Sequence, residues 1–132
     1  GFFNYGVFSR RLLPWLDSIY YDLKLIDEEA HRRYTGRGNR PILANLVRLS
    51  SQSRAGLHVR IPLIPGITAA RGNLAGIARF LRAHDIHEAS LMPYNPLWQD
   101  KLERLGLESR YDRRSFMTRQ EQAACVACMS PG

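Results

Sequence analysis

Charged side chains stand where short apolar segments of the sequence come to an end. Asp22 and Lys24 close the segment SIYYDLK (18–24), and Arg60 lies within LHVRIPLIPG (57–66). Side chains alternate along a strand, so Asp22 and Lys24 are expected on one face. This acid and base could form an ion pair that satisfies itself, or could bind a zwitterionic ligand. Arg60 could bind a carboxylate or phosphate, or could pair with an acid on a neighbouring strand, such as Asp22.

Two prolines bracket another pair of polar side chains, because Pro93 and Pro96 flank Tyr94 and Asn95. Proline restricts the backbone around it, so this stretch is predicted to be a rigid loop that presents Tyr94 and Asn95. Such a loop could simply form a structural turn, or it could form a wall that faces a ligand. Taken singly, none of these residues decides the chemistry of the protein.

The sequence contains a CxxC motif at Cys125 and Cys128. One such pair supplies half of a four-ligand metal site, and no second pair or later histidine completes it. On an alanine-rich helix the two cysteines are predicted to be small buried residues, with a redox pair or a contribution to a cluster as the alternative. The histidines show neither metal-ligand spacing nor a Ser-His-Asp arrangement, so we assign no metal ligand and no catalytic residue to this chain.

Strands and helices are predicted to position these residues. The segments 18–24, 57–66 and 87–95 are apolar or β-branched and are closed by proline, glycine or polar residues, which is typical of buried strands. Helices are predicted at 7–13 before Pro14, from Asp27, after an N-cap at Asn39, along an apolar stripe at 74–81, and from 118 to 129.

Strands that alternate with helices predict a parallel sheet with right-handed crossovers, and therefore an α/β fold. Residues 1–110 are predicted to form this α/β unit, and residues 111–132 a helical tail. Three parallel strands make an open sheet whose edge is free for further strands. The carboxyl ends of parallel strands are where α/β proteins carry their working residues, and the candidate residues fall there.

The composition is that of an ordinary globular protein, with 45% hydrophobic and 23% charged residues among 132. This excludes a disordered or collagen-like chain, and the length is too short for a complete (β/α)₈ barrel of about 250 residues. No apolar stretch reaches the roughly 18 residues of a membrane span. Residues 1–15 lack the pattern of a signal peptide. Two cysteines are too few to stabilise a small secreted domain by disulfide bonds. We therefore expect a cytoplasmic protein.

The chain carries a net charge of +7, which suits acidic partners. Its arginines are scattered, which is more typical of a solvated surface than of a nucleic-acid interface. The segment HRRYTGRGN (31–39) combines glycines with arginines but lacks the spacing of a P-loop. A non-catalytic phosphate- or RNA-binding α/β domain is the alternative from a different class of protein. Its candidate residues are Arg32, Arg33, Arg37 and Arg40.

Several segments, taken in order, resemble the activating enzymes of glycyl radical enzymes, of the pyruvate formate-lyase activating enzyme type. The first is YYDLKLIDEEAHRRYTGRGNRPILANLVRL (20–49), with a DLK strand end, a D…H…TG…N turn and an ILxNL helix. VRIPLIPGIT (59–68), ARFLR (78–82) and LMPYNPLWQDKLERLG (91–106) follow. The resemblance covers roughly residues 15 to 107, and its combined specificity is high although each piece is short.

The resemblance implies three βα units, the carboxyl-terminal half of the partial TIM-like (β/α)₆ barrel of radical S-adenosylmethionine oxidoreductases. In that anaerobic family a CxxxCxxC loop holds a 4Fe-4S cluster, and S-adenosylmethionine occupies the open iron. An electron donor such as flavodoxin or ferredoxin drives reductive cleavage of S-adenosylmethionine. The resulting 5′-deoxyadenosyl radical removes hydrogen from a glycine of the partner, a glycyl radical enzyme.

The resemblance also implies which residues bind the cofactor. Lys24 should hold the methionine carboxylate, Asp22 should line the same site, and Arg60 should face the barrel interior near the cofactor or the substrate glycine. Asn95 stands where the best-known members place a histidine that contacts S-adenosylmethionine. Asparagine can still form hydrogen bonds but cannot titrate near neutral pH, so a proton role is not expected at this position.

This sequence departs from the family pattern because it contains no CxxxCxxC motif. The cluster ligands are therefore expected outside this chain, and Cys125 and Cys128 cannot be taken as their replacement. Because the chain opens at Gly1 without an initiator methionine, we expect a fragment. Because it lacks the cluster ligands, we expect that fragment to be inactive on its own. Asn95 leaves another radical S-adenosylmethionine branch as an alternative function. We expect neither a membrane nor nucleic acid as a partner.

Overall fold

The computed structural model describes residues 1–130 of the chain. Helices and strands alternate in the predicted order, with one additional helix after the third strand. The helices are α1 (Tyr5–Arg11), α2 (Glu28–Thr35), α3 (Arg40–Gln52), α4 (Arg71–Ala83), α5 (Leu97–Arg104) and α6 (Arg119–Met129). The strands are β1 (Ser18–Asp22), β2 (Gly56–Pro62) and β3 (Ala89–Met92), and a 3₁₀ turn (Leu13–Trp15) follows α1.

The strands form one parallel sheet in the order β1-β2-β3. Asp22 lies opposite Arg60 in the first pairing, and Arg60 lies opposite Ser90 in the second. Because consecutive strands are neighbours and crossovers between parallel strands are right-handed, the connecting helices fall on one face of the sheet. The predicted α/β fold with three parallel strands in an open sheet is confirmed.

Alternate strand residues and one stripe of each connecting helix form the hydrophobic core. The sheet contributes Tyr21, Leu23, Val59, Ile61 and Leu63, and the helices contribute Ile42, Leu46, Leu49, Leu74, Ile77 and Leu81. The helical members recur every three or four residues, which is the spacing of one helix face. The Tyr21 hydroxyl donates to the carbonyl oxygen of Ile42 at 2.6 Å, and burial raises the pKa of Tyr21.

The ends of several elements differ from the prediction. Helix α1 begins at Tyr5, two residues early, because the Asn4 side chain accepts the N–H of Val7 at 3.0 Å and caps the helix there. Pro14 lies inside the 3₁₀ turn and not at the end of the α-helix. All three strands end sooner than predicted. Helix α5, whose one buried residue is Gln99, is not among the predicted helices.

The tail packs onto the same core as the sheet. Helix α6 contacts α4, and Met117 and Cys125 are buried within the core cluster. A capping box fixes the start of α6, because Thr118 Oγ1 accepts the Glu121 N–H at 3.1 Å and the Glu121 carboxylate accepts the Thr118 N–H at 2.7 Å. The predicted helix from 118 to 129 is present, and a domain boundary near residue 110 stays a prediction. Among residues 1–130, no helix has the length and apolar character needed to cross a membrane.

Candidate functional site

Arg60 and Asp22 form an ion pair on the sheet face opposite the core. Arg60 Nε donates to Asp22 Oδ1 at 2.8 Å, and the two side chains remain 41% and 42% exposed. The guanidinium also lies 5.5 Å from the ring centroid of Tyr20. The strand-to-strand pair that the sequence left open is therefore present, and its exposure leaves both charged groups accessible to a ligand.

A groove with a volume of about 320 Å³ follows this face toward the carboxyl ends of β2 and β3. The residues that line it include Asp22, Arg60, Pro62, Met92, Asn95 and Trp98. The structure thus brings three of the four predicted site residues into one groove. Lys24 does not line it.

Lys24 follows the end of β1 and continues the alternation of the strand. Leu23 and Leu25 are buried on either side of it, whereas Lys24 and Asp22 are exposed. The two charged side chains therefore share a face, as predicted. Within residues 1–130 the ammonium group of Lys24 takes part in no ion pair. It is available to an anionic group of a ligand.

Asn95 and Tyr94 have different surroundings, although the sequence predicts that one loop presents both. Asn95 is exposed, and its Oδ1 accepts the Leu97 N–H at 2.9 Å, which stabilises the start of α5. Its side-chain amide group remains free to donate toward the groove. Tyr94 is only 6% exposed, but it lines the same groove as Asn95.

The Tyr94 hydroxyl anchors the tail to the end of β3. It donates to the Arg113 carbonyl at 2.8 Å and lies 3.1 Å from Gln99 Nε2, which donates to the carbonyls of Tyr111 and Arg113 at 2.9 Å each. Arg113 in turn binds Glu121 through two hydrogen bonds of 2.7 and 2.9 Å. This network fixes one wall of the groove, and the sequence gives no signal for it because its members are distant along the chain.

Two asparagines hold the backbone that follows β1. Asn73 Nδ2 donates to the Lys24 carbonyl at 2.8 Å, and Asn73 Oδ1 accepts the Ile26 N–H at 2.9 Å. Asn39 Nδ2 donates to the carbonyls of Leu25 and Ile26 at 3.0 and 2.8 Å. Asn39 is the N-cap residue of α3, as predicted, but its side chain forms no cap hydrogen bond.

The arginine-rich loop is largely engaged with the protein itself. Arg32 and Arg40 both pair with Glu28, at 3.2 and 2.8 Å, and Arg37 lies 5.2 Å from the ring centroid of Phe2. His31 is buried, with its Nδ1 2.6 Å from the Arg37 carbonyl oxygen. These contacts reduce the positive surface on which a phosphate-binding function would depend.

The two cysteines line a different cavity, of about 600 Å³, between α6 and the loop after β2. Both are free thiols; Cys125 is buried, and burial raises its pKa, whereas Cys128 is half-buried. Within residues 1–130 no three His, Cys, Asp or Glu side chains are grouped to hold a metal ion. The donor set of this part of the chain does not fit an iron–sulfur cluster.

The fold is similar to that of a solved domain of a pyruvate-formate lyase-activating enzyme from Bacteroides vulgatus. The TM-score is 0.64 at 24% identity, and the match covers 86% of this chain and 61% of that one. The protein therefore belongs to the class of α/β chains that share the fold of this domain. No protein-family model matches the chain.

Relatives in sequence identify the family. The chain is 38% identical to an indoleacetate decarboxylase activating enzyme of Tractidigestivibacter scatoligenes, over 73% of this chain and 30% of the relative. It is 36% identical to a trans-4-hydroxy-L-proline dehydratase activating enzyme of Clostridioides difficile, over 72% of this chain and 32% of the relative. It is 32% identical to a (2S)-3-sulfopropanediol dehydratase activating enzyme of Klebsiella oxytoca, over 81% of this chain and 36% of the relative.

The chain spans about a third of the length of these relatives. Over that length it is homologous to the glycyl radical enzyme activating enzymes, a family of radical S-adenosylmethionine proteins. The resemblance that the DLK, IPG and MPYN segments carry is confirmed.

Proposed function

We propose that this chain supplies one wall of the S-adenosylmethionine site of a glycyl radical enzyme activating enzyme. The observation that carries the proposal is the grouping of Asp22, Arg60 and Asn95 in one groove at the carboxyl ends of parallel strands, with Lys24 on the same face. The amino-acid part of S-adenosylmethionine is a zwitterion. An arrangement of one acid and two bases suits it.

Each side chain has capacity left for such a ligand. Lys24 would hold the methionine carboxylate, since no acid within residues 1–130 pairs with it. Asp22 uses Oδ1 for Arg60 and would offer Oδ2 to the ammonium group. Asn95 would donate its free amide hydrogens. When bound beside a reduced cluster, S-adenosylmethionine supplies the radical chemistry that activates a glycine residue.

The surface beside the groove suits a peptide segment. Met92, Leu97 and Trp98 are 42%, 58% and 39% exposed, which places apolar side chains at the mouth of the groove. The partner would be a glycyl radical enzyme whose glycine-bearing loop packs there, and the electron would come from a donor such as flavodoxin or ferredoxin.

Because the cysteines do not fit a cluster, residues 1–130 alone would bind the ligand without cleaving it. We expect the cytoplasm as the compartment.

The first experiment is a titration of the ¹⁵N-labelled 15.1 kDa chain with S-adenosylmethionine, followed by NMR. The largest shifts are expected at Asp22, Lys24, Arg60 and Asn95. Lys24→Met should weaken binding by about tenfold, because a charge-assisted hydrogen bond contributes roughly 1.5–3 kcal/mol. Lys101→Met is the matched control, since Lys101 is exposed on α5 and does not line the groove. Shifts at residues 31–40 with inorganic phosphate, together with none in the groove with S-adenosylmethionine, would instead favour the phosphate-binding function.

The activity itself is tested in a chimera. The matching third of the Clostridioides difficile relative is replaced by this chain, and the glycyl radical on that relative's partner enzyme is measured by electron paramagnetic resonance. A radical signal that is lost on Lys24→Met, and kept on Lys101→Met, supports the proposal. A well-folded chimera that binds its cluster but gives no radical contradicts it. The isolated 132-residue chain is expected to give none.

A further inference from the structure

The segment that carries Lys24 belongs to neither a strand nor a helix. It runs from the end of β1 at Asp22 to the start of α2 at Glu28. The Lys24 side chain is exposed and meets no partner acid within residues 1–130. Its position over the sheet face is therefore set by the backbone beneath it, and by whatever holds that backbone.

Two asparagine side chains bind four polar groups of the backbone between Lys24 and Ile26. The Lys24 carbonyl and the Ile26 N–H both bind Asn73, at 2.8 and 2.9 Å. The carbonyls of Leu25 and Ile26 both bind Asn39, at 3.0 and 2.8 Å. Asn39 is 1% exposed, so its amide has no competing water. Leaving such groups without a partner is costly, which makes both asparagines strong constraints on the segment.

Asn73 also connects this segment to the end of β2. Its Nδ2 donates to the Thr68 carbonyl at 2.8 Å. Thr68 is 2% exposed; its hydroxyl accepts the Ile64 N–H and donates to the Pro62 carbonyl, each at 2.6 Å. Pro62 ends the strand that carries Arg60. One side chain at the start of α4 therefore links the two strand ends that bear the candidate cationic ligands.

Helix α4 can lie this close because of a glycine. A Cβ atom at Gly76 would come within 2.8 Å of Ile26 Cγ2, so any larger residue would force the Ile26 side chain or the helix to shift. The close packing and the asparagine bonds act on the same short stretch of backbone.

From these contacts we infer that Asn73 and Asn39 are positioning residues that hold Lys24 in register with Arg60 for binding the carboxylate of S-adenosylmethionine. The inference rests on the proposed function for the ligand, but the restraint on the backbone is independent of it. Asn73 binds the Lys24 carbonyl directly, and Asn39 fixes the two residues that follow.

The test compares Asn73→Ala with Asn45→Ala in the 132-residue chain. Asn45 is the control because it too donates to two backbone carbonyls, those of Gly1 and Phe3 at 2.9 and 3.1 Å, although it is buried and Asn73 is half-buried. Hydrogen exchange of the Ile26 amide should accelerate by roughly tenfold in Asn73→Ala relative to Asn45→Ala at matched stability. The affinity for S-adenosylmethionine should fall by about fivefold in Asn73→Ala alone.

The results distinguish an error in the proposed ligand from an error in the proposed positioning role. If wild-type chain shows no shift at Lys24 with S-adenosylmethionine but Ile26 exchange still accelerates in Asn73→Ala, the proposed ligand is wrong and the restraint stands. If Ile26 exchange is unchanged, or changes equally in both variants, the positioning role is wrong. Should Asn73→Ala fail to fold, Asn73→Ser keeps a short side chain at the position and is read in the same way.

Discussion

The two faces of the sheet are made by alternate residues of the same strands, yet one face is apolar and buried and the other is polar and exposed. On the covered face Val59 and Ile61 are 0% exposed and pack against the helices. On the open face Tyr20 is 63% exposed, and Asp22 and Arg60 stay about half-exposed beside it. Both faces share one backbone and one register. The difference therefore comes from side-chain chemistry alone.

This comparison teaches where stability and function reside. Buried apolar residues contribute most of the free energy of folding, whereas an exposed ion pair contributes about 0–1 kcal/mol. The charges at the strand ends thus do little for the fold of this chain. Their grouping in one groove is better explained by a ligand than by stability.

The covered face should give the largest effect on stability. Leu46→Ala removes a side chain that is 0% exposed, and it should lower the free energy of unfolding by about 2–5 kcal/mol because of the cavity left behind. Urea-induced unfolding followed by circular dichroism measures the change. Leu107→Ala, at a position 55% exposed, is the control and should change stability little. Equal effects of the two variants would contradict the division between core and surface.

The loop after β2 should give an intermediate effect. Gly66 has a φ of +78°, a left-handed conformation in which a Cβ atom is strained. Gly66→Ala should therefore cost about 1–2 kcal/mol, although nothing lies within 4 Å of the added atom. Gly72→Ala is the control, because the space around Gly72 is equally open and its φ is ordinary. A loss of stability in both variants would point to packing instead of backbone strain.

The tail should show a smaller effect that appears in acid. The Arg113 guanidinium holds the pKa of Glu121 down to about 2, below its ordinary value of 4.5. The folded state therefore gains stability from this carboxylate above pH 4.5, and loses it as the pH falls toward 2. Thermal unfolding of wild type and Glu121→Gln across this range should converge at the acid end. Curves that stay parallel to pH 2 would show that the pair does not couple to folding.

The open face should give the smallest effect on stability and a clear effect on binding. Asp22→Asn should change the free energy of unfolding by less than about 1 kcal/mol, because the pair with Arg60 is exposed. The same variant should weaken S-adenosylmethionine binding in the NMR titration. A large loss of stability without loss of binding would assign the pair to the fold after all.

Much of the fold follows from the sequence because it depends on local patterns. The stripe at Leu74, Ile77 and Leu81 and the alternation around Asp22 are set by helix and strand periodicity, and the structure keeps both. The family motifs add the order of the units. Helix α5, which is not among the predicted helices, is anchored by hydrogen bonds of Tyr94 and Gln99 to distant backbone that no local rule predicts.

The sequence predicts the charged residues of the candidate site but not the residues that hold them in position. Asp22, Lys24 and Arg60 stand out because charges are rare in apolar segments. Asn73 binds the backbone of Ile26, 47 positions away, and an asparagine near a helix start predicts a cap just as well. Which backbone an amide side chain will bind is decided only when the elements meet.

The parallel order of the strands also governs how the protein folds in time. Asp22 and Arg60 are separated by 38 positions, so β1 can pair with β2 only after a long loop has closed. Nonlocal pairings of this kind slow folding compared with helical bundles. The ion pair on the open face can form only when these strands are paired. We expect it to form after the rate-limiting step, so that Asp22→Asn accelerates unfolding and leaves the refolding rate unchanged in stopped-flow experiments. The residues proposed for ligand binding thus come together only when β1 and β2 have paired.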